Sequence, residues 1–409
     1  MAVRLKPLAR QTIVITGASS GIGLATARMA AGRGAAVVLV ARDEASLDKA
    51  VQGIRDAGGR AEAITADVGD EAAMEKVAAF ARQKFGGFDS WVNDAGTSIF
   101  GTQDKTPVED QRRLFDTNYW GVVHGSLIAA REMRAKGGAI INLGSVLSDR
   151  AIPFQGTYSA TKHAVKAFTD ALRMELEAEG APISVTLIKP AAIESGFADH
   201  ARNLMDTPGV RVPPPTYDPK LVARAILFAC ETPRRDLYVG GGGALISLFG
   251  AWFPRTLDRA MSAAARRMQS SEEAPPPERR DNLYEGRPGG SEQSSRKTGP
   301  TRSTSLFLQA QMHPVATAAL LAGGVALVAG AIAAQRSGQG RLHRLPHRLD
   351  RMVALPSVPR MRDLPGYRHL PARRDLPGYG DLPRLASLLP DPARIGRELL
   401  RRARRHGLL

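Results

Sequence analysis

The chain has 409 residues, enough for one large domain with additions or for two to three ordinary domains. The net charge is +16, and residues 335–409, with 17 Arg and 6 acidic residues, carry 17 − 6 = +11 of it. The first 334 residues therefore carry only +5, which does not favour a nucleic-acid partner for them. The single cysteine, Cys230, excludes an intramolecular disulfide and a cysteine-based metal site.

The start of the chain lacks the features of a secretory signal. Residues 1–12 contain Arg4, Lys6 and Arg10 but no long apolar stretch, and strand-like residues begin at once. A signal peptide would need an apolar region of roughly 7 to 15 residues. We therefore expect the front domain to stay in the cytoplasm.

Seven short apolar runs recur between mostly helix-like segments. Continuously apolar runs are typical of strands covered on both faces, and their alternation with helices is typical of α/β proteins. We predict a Rossmann-type, doubly wound, seven-stranded parallel sheet with helices on both faces, followed by a non-globular C-terminal extension. The runs are residues 12–16, 35–41, 61–66, 88–93, 139–144, 183–188 and 236–241.

The segment TGASSGIG, residues 16–23, lies between the first predicted strand and a predicted helix. In such a turn one Gly permits the tight bend, a second lets the backbone approach a phosphate, and a third lets helix and sheet pack closely. The helix N-terminus would face a pyrophosphate. We therefore predict a dinucleotide site, with cofactor-binding residues Gly17, Ser19, Gly21, Ile22 and Gly23.

The end of the second predicted strand favours one cofactor over the other. An acidic residue there would bind the ribose 2′-OH and repel a 2′-phosphate, but the chain has Ala41 followed by Arg42. A guanidinium suits a phosphate. The sequence thus favours NADP(H) over NAD(H), the alternative being that Arg42 only caps a strand.

The segment YSATK places Tyr158 and Lys162 four residues apart, just after the predicted strand AIINLG. On a helix this spacing puts both side chains on one face, one turn apart, where a cation can act on a phenol. Taken alone, the pair is better explained as an ordinary exposed helix pair, so other residues must decide between the two interpretations.

Together these segments resemble the short-chain dehydrogenase/reductase family over roughly residues 8–245. Several independent motifs in the family's order and spacing are more specific than any one of them. The resemblance implies a nicotinamide cofactor and interconversion of an alcohol and a carbonyl. The motifs are TGASSGIG, Asp67-Val68, NDAG at 93–96, Asn118 in DTNYWG, Ser145 in INLGSV, YSATK and Lys189-Pro190.

The resemblance implies a catalytic set of four residues. Tyr158 would exchange a proton with the substrate oxygen, although a free phenol has a pKa near ~10. Lys162 would favour the phenolate and hold the nicotinamide ribose, and Ser145 would hydrogen-bond the substrate oxygen. Asn118 would hold a water that links the lysine to solvent, or else serve structurally by interrupting a long helix.

The resemblance also implies cofactor contacts at two further strand ends. Asp67 and Val68 would meet the adenine, while Asn93 and Ala95 would line the cofactor's path. For each of these four residues, a purely structural role is an equal alternative.

The chain departs from the family pattern at two positions. Asp94 stands where a second Asn is usual, and Ala191 stands where Gly is usual after the proline. Ile193 and Ser195 could still bind the carboxamide of nicotinamide. Neither change removes a proton-transfer group.

Composition changes after the first 262 residues. We predict a catalytic domain at 1–262, a disordered linker rich in Pro, Gly and Ser at 263–313, a membrane helix at 314–334, and an Arg- and Pro-rich basic tail at 335–409.

The membrane prediction rests on 21 uncharged residues, close to the ~20 needed to cross a bilayer. A buried, Ala-rich helix of a water-soluble domain is the alternative. Arg residues on both sides of the segment leave the topology open, and a re-entrant or interfacial segment would also fit. Beside a membrane, the basic tail would bind anionic lipid headgroups.

We therefore expect a membrane-associated NADP-dependent oxidoreductase that acts on a small-molecule alcohol or carbonyl, with apolar substrates permitted and homo-oligomers left open. The alternative is an NADP-binding scaffold or sensor without turnover. A sensor has no need of the proton-transfer set, so the residues favour the enzyme.

Overall fold

The computed structural model describes residues 3–294, 296 and 300–338. Within these residues the main sheet has seven strands, β1 (Thr12–Thr16), β2 (Ala36–Ala41), β3 (Arg60–Thr65), β4 (Ser90–Asn93), β5 (Gly138–Leu143), β6 (Ile183–Pro190) and β7 (Asp236–Val239). Their order is β7-β6-β5-β4-β1-β2-β3, and all neighbouring pairs are parallel. The predicted doubly wound parallel sheet is confirmed.

Helices connect the strands and extend beyond the sheet. They are α1 (Gly21–Gly32), α2 (Glu44–Asp56), α3 (Glu71–Phe85), α4 (Val108–Phe115), α5 (Gly121–Met133), α6 (Gly156–Ala178), α7 (Phe197–His200), α8 (Pro219–Glu231), α9 (Gly241–Trp252), α10 (Pro254–Gln269), α11 (Leu306–Met312) and α12 (Pro314–Gly338). Short 3-10 turns lie at Leu8–Arg10, Val146–Ser148 and Pro277–Arg279. Two-residue strands pair Ile99–Phe100 with Arg202–Asn203, Gly209–Val210 with Ser270–Ser271, and Thr216–Tyr217 with Thr301–Arg302.

The sheet separates two apolar cores. Ile13 and Ile15 of β1 belong to one core, together with Leu24 of α1. Val14, between them, belongs to the opposite core, together with Met133 of α5. Successive strand side chains point to opposite faces, and burial of both faces explains why the strands read as continuous apolar runs.

The segment 263–313, predicted to be a disordered linker, is folded where the structure describes it. Helix α10 continues to Gln269, and Thr301–Arg302 pairs with a strand of the domain. The side chain of Arg296 is buried against Asp199. The prediction is wrong because low apolar content argues only against a packed apolar core, whereas polar and backbone hydrogen bonds hold much of this segment.

The predicted membrane helix at 314–334 falls within α12. In the part of the chain that the structure describes, no helix combines the length and the apolar character needed to cross a membrane. The predicted transmembrane helix is therefore not supported. Its composition gives the physical reason, because Ala and Gly make up 12 of these 21 residues and bury less apolar surface than Leu or Ile.

The basic tail, predicted to bind lipid, begins at residue 335 and lies outside the described residues from 339 onward. Membrane attachment through the tail therefore stays a prediction from the sequence.

Candidate active site

A cavity of about 390 Å³ lies at the carboxyl ends of the strands. The turns that follow β1 to β6 contribute to its walls. The strand order reverses between β1 and β4, which are neighbours in the sheet. In an open parallel sheet, such a reversal creates the crevice in which ligands bind.

The Gly-rich turn closes one end of this cavity. Gly17 has φ +69°, and a Cβ there would lie 2.9 Å from the backbone of Ala95. A Cβ on Gly23 would lie 2.4 Å from the carbonyl oxygen of Gly17, so the helix could not approach the turn. Helix α1 begins at Gly21, and Gly21 and Ile22 line the cavity. A helix N-terminus on a close-packed turn fits a pyrophosphate.

Arg42 lines the cavity at the end of β2. Its Nη1 lies 3.9 Å from the Asp67 carboxylate, and Asp67 also forms an ion pair with Arg113. Burial lowers the pKa of Arg42, and the charge of Asp67 opposes that shift. The neighbouring Asp43 uses its carboxylate to cap α2, accepting the Ser46 N–H at 2.9 Å. Arg42 therefore presents a cation to the cavity beside carboxylates that already have partners.

Helix α6 places Tyr158 and Lys162 one turn apart, and both side chains are buried and line the cavity. The Lys162 Nζ lies 5.7 Å from the Tyr158 ring centre and donates to the Leu143 carbonyl at 2.7 Å. Ser145, just after β5, hydrogen-bonds the Tyr158 phenol. The hydroxyl, the phenol and the amine thus share one wall, where a carbonyl oxygen could meet both Ser145 and Tyr158.

Burial dominates the titration of this cluster. It raises the pKa of Tyr158 well above its ordinary value, while the Ser145 hydrogen bond lowers it and the Asp94 charge raises it further. Burial lowers the pKa of Lys162 to about 8, against the attraction of Asp94. Because burial is the largest influence on Tyr158, its phenol is protonated in the protein alone.

Asn118 does not line the cavity. It lies in a π-helical turn, Asp116–Trp120, between α4 and α5. Its Nδ2 donates to the Thr97 carbonyl at 2.9 Å and to the Thr161 hydroxyl at 3.2 Å, and its Oδ1 accepts the Thr97 N–H at 2.9 Å. These contacts match the structural alternative, an interruption of a long helix.

Asn93 also lies outside the cavity lining, and its contacts match the structural alternative. Its Nδ2 donates to Asn142 at 2.8 Å and to Ser126 at 3.0 Å, while its Oδ1 accepts the Trp91 indole N–H at 2.8 Å. The reason is the pleat of β4, which directs Asn93 into the core between sheet and helix α5.

The other predicted site residues, except the packing residue Gly23, come together around the cavity. Five groups contribute: the Gly-rich turn, the ends of β2 to β4, the end of β5, helix α6, and the loop after β6. Those that line it are Gly17, Ser19, Gly21, Ile22, Arg42, Asp67, Val68, Ala95, Ser145, Tyr158, Lys162, Ile193 and Ser195.

The other end of the cavity is mostly apolar. Its lining there includes Leu147, Ile152, Phe197, Val212, Pro213, Pro214, Pro215, Ile246, Met261 and Met268. The last three belong to α9 and α10. The strong amphipathic pattern of α10 indicates that one face of this helix packs against the rest of the domain.

Among the described residues, no cluster of His, Cys, Asp or Glu is placed to hold a metal ion.

Polar and glycine residues that the sequence did not predict also line the cavity. Asp94 lines the floor, and burial raises its pKa to about 7. Asn282, Gly286 and Arg287 reach the cavity from the segment predicted to be disordered. The only local signal for Gly286 and Arg287 was the run GRPGG, which is as typical of a linker as of a phosphate-binding turn.

A doubly wound parallel sheet with a Gly-rich turn at its switch point is the architecture of dinucleotide-binding proteins. Residues 11–205 match the model of the short chain dehydrogenase family. The chain belongs to this family and is an NAD(P)-dependent oxidoreductase.

Known relatives support the family assignment. The chain is 43% identical over 329 residues to the uncharacterized oxidoreductase YxnA of Bacillus subtilis (strain 168), covering 80% of this chain and 92% of the relative. Such coverage extends past the sheet into the C-terminal extension. The chain is 37% identical over 190 residues to 11-beta-hydroxysteroid dehydrogenase A of Sesamum indicum, covering 46% of this chain and 54% of that protein.

A solved structure shares the fold. The alcohol dehydrogenase from the archaeon Thermococcus sibiricus, complexed with 5-hydroxy-NADP, aligns with a TM-score of 0.50 at 24% identity, over 56% of this chain and 95% of that one. At this identity the likeness concerns the fold.

Proposed function

We propose that the chain is an NADP(H)-dependent oxidoreductase that interconverts a bulky, apolar secondary alcohol and the corresponding ketone. The observation that carries the proposal is the placement of Ser145, Tyr158 and Lys162 on one wall of a cavity whose two ends differ. One end has a Gly-rich turn and Arg42, and the other is apolar.

A nicotinamide cofactor held by the Gly-rich turn, Arg42 and Lys162 would supply the hydride for reduction of the carbonyl carbon. Ser145 donates a hydrogen bond to the carbonyl oxygen and holds it near Tyr158. The Tyr158 phenol delivers the proton to that oxygen as negative charge develops there, and Lys162 stabilises the resulting phenolate. Oxidation of the alcohol runs through the same contacts in reverse.

Electrostatics in the protein alone favour the protonated phenol, because burial raises the pKa of Tyr158. A protonated Tyr158 is the form that reduction requires. For oxidation, the phenol must first lose its proton, and the charge of an oxidised nicotinamide ring beside it would favour that loss.

NADP(H) is proposed over NAD(H) because of the charges near Arg42. Arg42 lines the cavity, while the Asp43 carboxylate is engaged in capping α2. Arg42→Asp should weaken NADPH binding by tenfold or more, because the contact with the 2′-phosphate is replaced by repulsion. NADH affinity should change much less, and an equal loss for both cofactors would argue against the assignment.

An apolar substrate is proposed because aliphatic, aromatic and proline side chains line the end beyond Tyr158. The Sesamum relative is named as a hydroxysteroid dehydrogenase, and steroids are bulky apolar alcohols of this kind. A panel of steroid ketones, long-chain ketones and sugars, with NADPH consumption as the readout, tests this. Turnover of sugars alone would contradict it.

The enzyme proposal is tested by Tyr158→Phe, with Tyr119→Phe as the matched control because Tyr119 does not line the cavity. Loss of the proton donor should lower turnover by about 10²- to 10⁴-fold while NADPH still binds. The control should keep wild-type activity. NADPH binding by the wild type without turnover on any ketone would favour the sensor alternative.

A further inference from the structure

A segment of the C-terminal extension crosses the proposed cofactor site. Residues 281–291, here named the clasp, contact the Gly-rich turn directly: the Gly290 N–H donates to the Ser19 carbonyl at 2.7 Å, and the Gly21 N–H donates to the Ser291 carbonyl at 2.9 Å. The clasp therefore lies against the turn that would bind the pyrophosphate.

The clasp also contacts the end of β2. The Arg42 guanidinium donates to the carbonyl oxygens of Asn282, Leu283 and Tyr284. Arg113, the partner of Asp67, donates to the Leu283 carbonyl as well, at 3.1 Å.

The apolar side chain of the clasp anchors it. Leu283 is fully buried in a small apolar cluster that includes Ile99, Leu114 and Tyr158. Its neighbour Asn282 hydrogen-bonds the Thr97 hydroxyl. The clasp is thus packed against the same tyrosine that lies at the proposed catalytic centre.

Two glycines let the clasp approach this closely. A Cβ on Gly286 would lie 3.0 Å from the backbone of Arg42, and a Cβ on Gly289 would lie 2.7 Å from the Ser19 carbonyl oxygen. Pro288 fixes the backbone between them. In this fold the run GRPGG therefore forms a turn packed closely against Arg42 and Ser19, and this turn positions Arg287.

Arg287 lines the cavity together with Ser19, Ser20 and Arg42. Its Nε donates to the Asp281 carbonyl at 3.3 Å, and its ion-pair partner is Glu285 at 3.5 Å, whose side chain is 75% exposed. This weak, solvent-screened contact leaves the guanidinium available for a stronger anion. The Arg287 guanidinium suits a charged phosphate, and the preceding Gly286 packs on Arg42, whose own guanidinium holds the clasp carbonyls.

We propose that the clasp completes the cofactor site and that Arg287, together with Arg42, binds the 2′-phosphate of NADP(H). This inference rests on the proposed function and adds a cofactor-binding residue outside the matched family region, which ends at residue 205. The clasp also holds the cofactor in place, because its backbone hydrogen bonds to the turn must break before the groove opens.

The first experiment compares Arg287→Gln with Arg280→Gln in the full-length chain. Arg280 is exposed, belongs to the same extension and does not line the cavity, so it is the matched control. Dissociation constants for NADPH and NADH are measured by calorimetry. Arg287→Gln should weaken NADPH by about tenfold or more, as expected for a lost charged hydrogen bond, and NADH by less than about twofold.

Three other outcomes are informative. Equal weakening of both cofactors would place Arg287 at the pyrophosphate and overturn the 2′-phosphate assignment, and no weakening would overturn the role of Arg287 altogether. If the wild type binds neither cofactor, the proposed function itself fails, and this result is distinct from a failure of the clasp.

The second experiment tests the clasp independently of charge. Gly289→Ala places a methyl group against the Ser19 carbonyl, whereas Gly53→Ala in α2 meets nothing within 4 Å and is the control. Gly289→Ala should speed NADPH dissociation several-fold in stopped-flow measurements. An unchanged rate would contradict the clasp, and tighter binding would show instead that the segment blocks the site.

Discussion

At the floor of the cavity, Asp94 and Lys162 carry charges that burial disfavours. Burial raises the pKa of Asp94 to about 7, although Lys162 and the Gly23 N–H oppose the shift. Burial lowers the pKa of Lys162 to about 8, and Asp94 opposes it. The two groups titrate close together, so the charge on each affects the protonation of the other.

This pair predicts a pH-dependent stability. The folded pKa of Asp94 lies above its ordinary value of 3.8, so the folded state holds the proton more tightly than the unfolded state. The contribution of protonated Asp94 to the free energy of unfolding is complete when the pH is below that ordinary value. It is lost as pH rises through about 7. Asp94→Asn removes the dependence. The melting temperature of the variant minus that of wild type should therefore increase as pH is raised from about 5 to about 8.

The matched control for this prediction is Asp48→Asn, which removes an exposed carboxylate on α2. Its melting temperature relative to wild type should stay constant over the same pH range. If the Asp94 variant showed the same flat difference, burial would not be setting the protonation of Asp94.

At the scale of elements, helix α1 depends on one glycine and tolerates change at another. The Cβ of Gly23→Ala would lie 2.4 Å from the Gly17 carbonyl oxygen, whereas the Cβ of Gly32→Ala would meet nothing within 4 Å. Overpacking of the first kind typically costs about 1–3 kcal/mol. Urea denaturation should show that loss for Gly23→Ala, with weaker NADPH binding.

Gly32→Ala serves as the control on the same helix and should lie within about 0.5 kcal/mol of wild type or be slightly more stable. Equal stability of the two variants would mean that the turn can move away from the helix at little cost.

The π-helical turn between α4 and α5 makes a second element-scale prediction. Asn118→Ala removes three buried hydrogen bonds and leaves both backbone groups of Thr97 without this partner. Each such bond contributes about 0.5–1.5 kcal/mol, and unpaired buried groups add to the loss. We expect a loss of about 2–4 kcal/mol in urea denaturation.

Gln52→Ala, which removes an exposed hydrogen bond to Asp56 on α2, should change stability by less than about 0.5 kcal/mol. An Asn118 variant that kept its stability but lost turnover would instead support the water-holding role suggested by the family resemblance.

At the scale of the whole molecule, the extension encloses a site built by the sheet. Helices α9 and α10 supply apolar side chains at the substrate end, and the clasp crosses the cofactor end. Beyond the clasp, Arg296 forms an ion pair with Asp199 and so fixes this part of the extension to α7. The pair is buried, with side chains only 4% and 1% exposed. Asp199 belongs to α7, beside the cavity residue His200.

Breaking this ion pair should loosen the clasp. Arg296→Met leaves the Asp199 carboxylate buried without its cation, and such changes cost about 3–5 kcal/mol. Relative to wild type, hydrogen exchange in the variant should become faster in residues 281–294, with a smaller change in the sheet. Asp206→Asn, at a side chain 78% exposed, is the control and should leave exchange unchanged. Unaltered exchange in the Arg296 variant would show that other contacts hold the clasp.

The sequence predicted the sheet well because its signals are local. All seven apolar runs became strands, with boundaries that differ by no more than two residues. The spacing of Tyr158 and Lys162 likewise follows from one helical turn. The disordered linker was predicted wrongly, and the two roles open to Asn93 could not be told apart, because polar contacts to a distant surface and orientation within a pleat leave no periodic pattern.

The sequence by itself determined a doubly wound parallel sheet, a Gly-rich turn, and a Tyr–Lys pair on one helical face, because each depends on residues close together in the chain. Only the tertiary structure decided that residues 281–291 return to the Gly-rich turn and bring Arg287 to the cavity. Such a return depends on backbone hydrogen bonds and close glycine contacts between distant segments, and neither gives a signal in composition or periodicity.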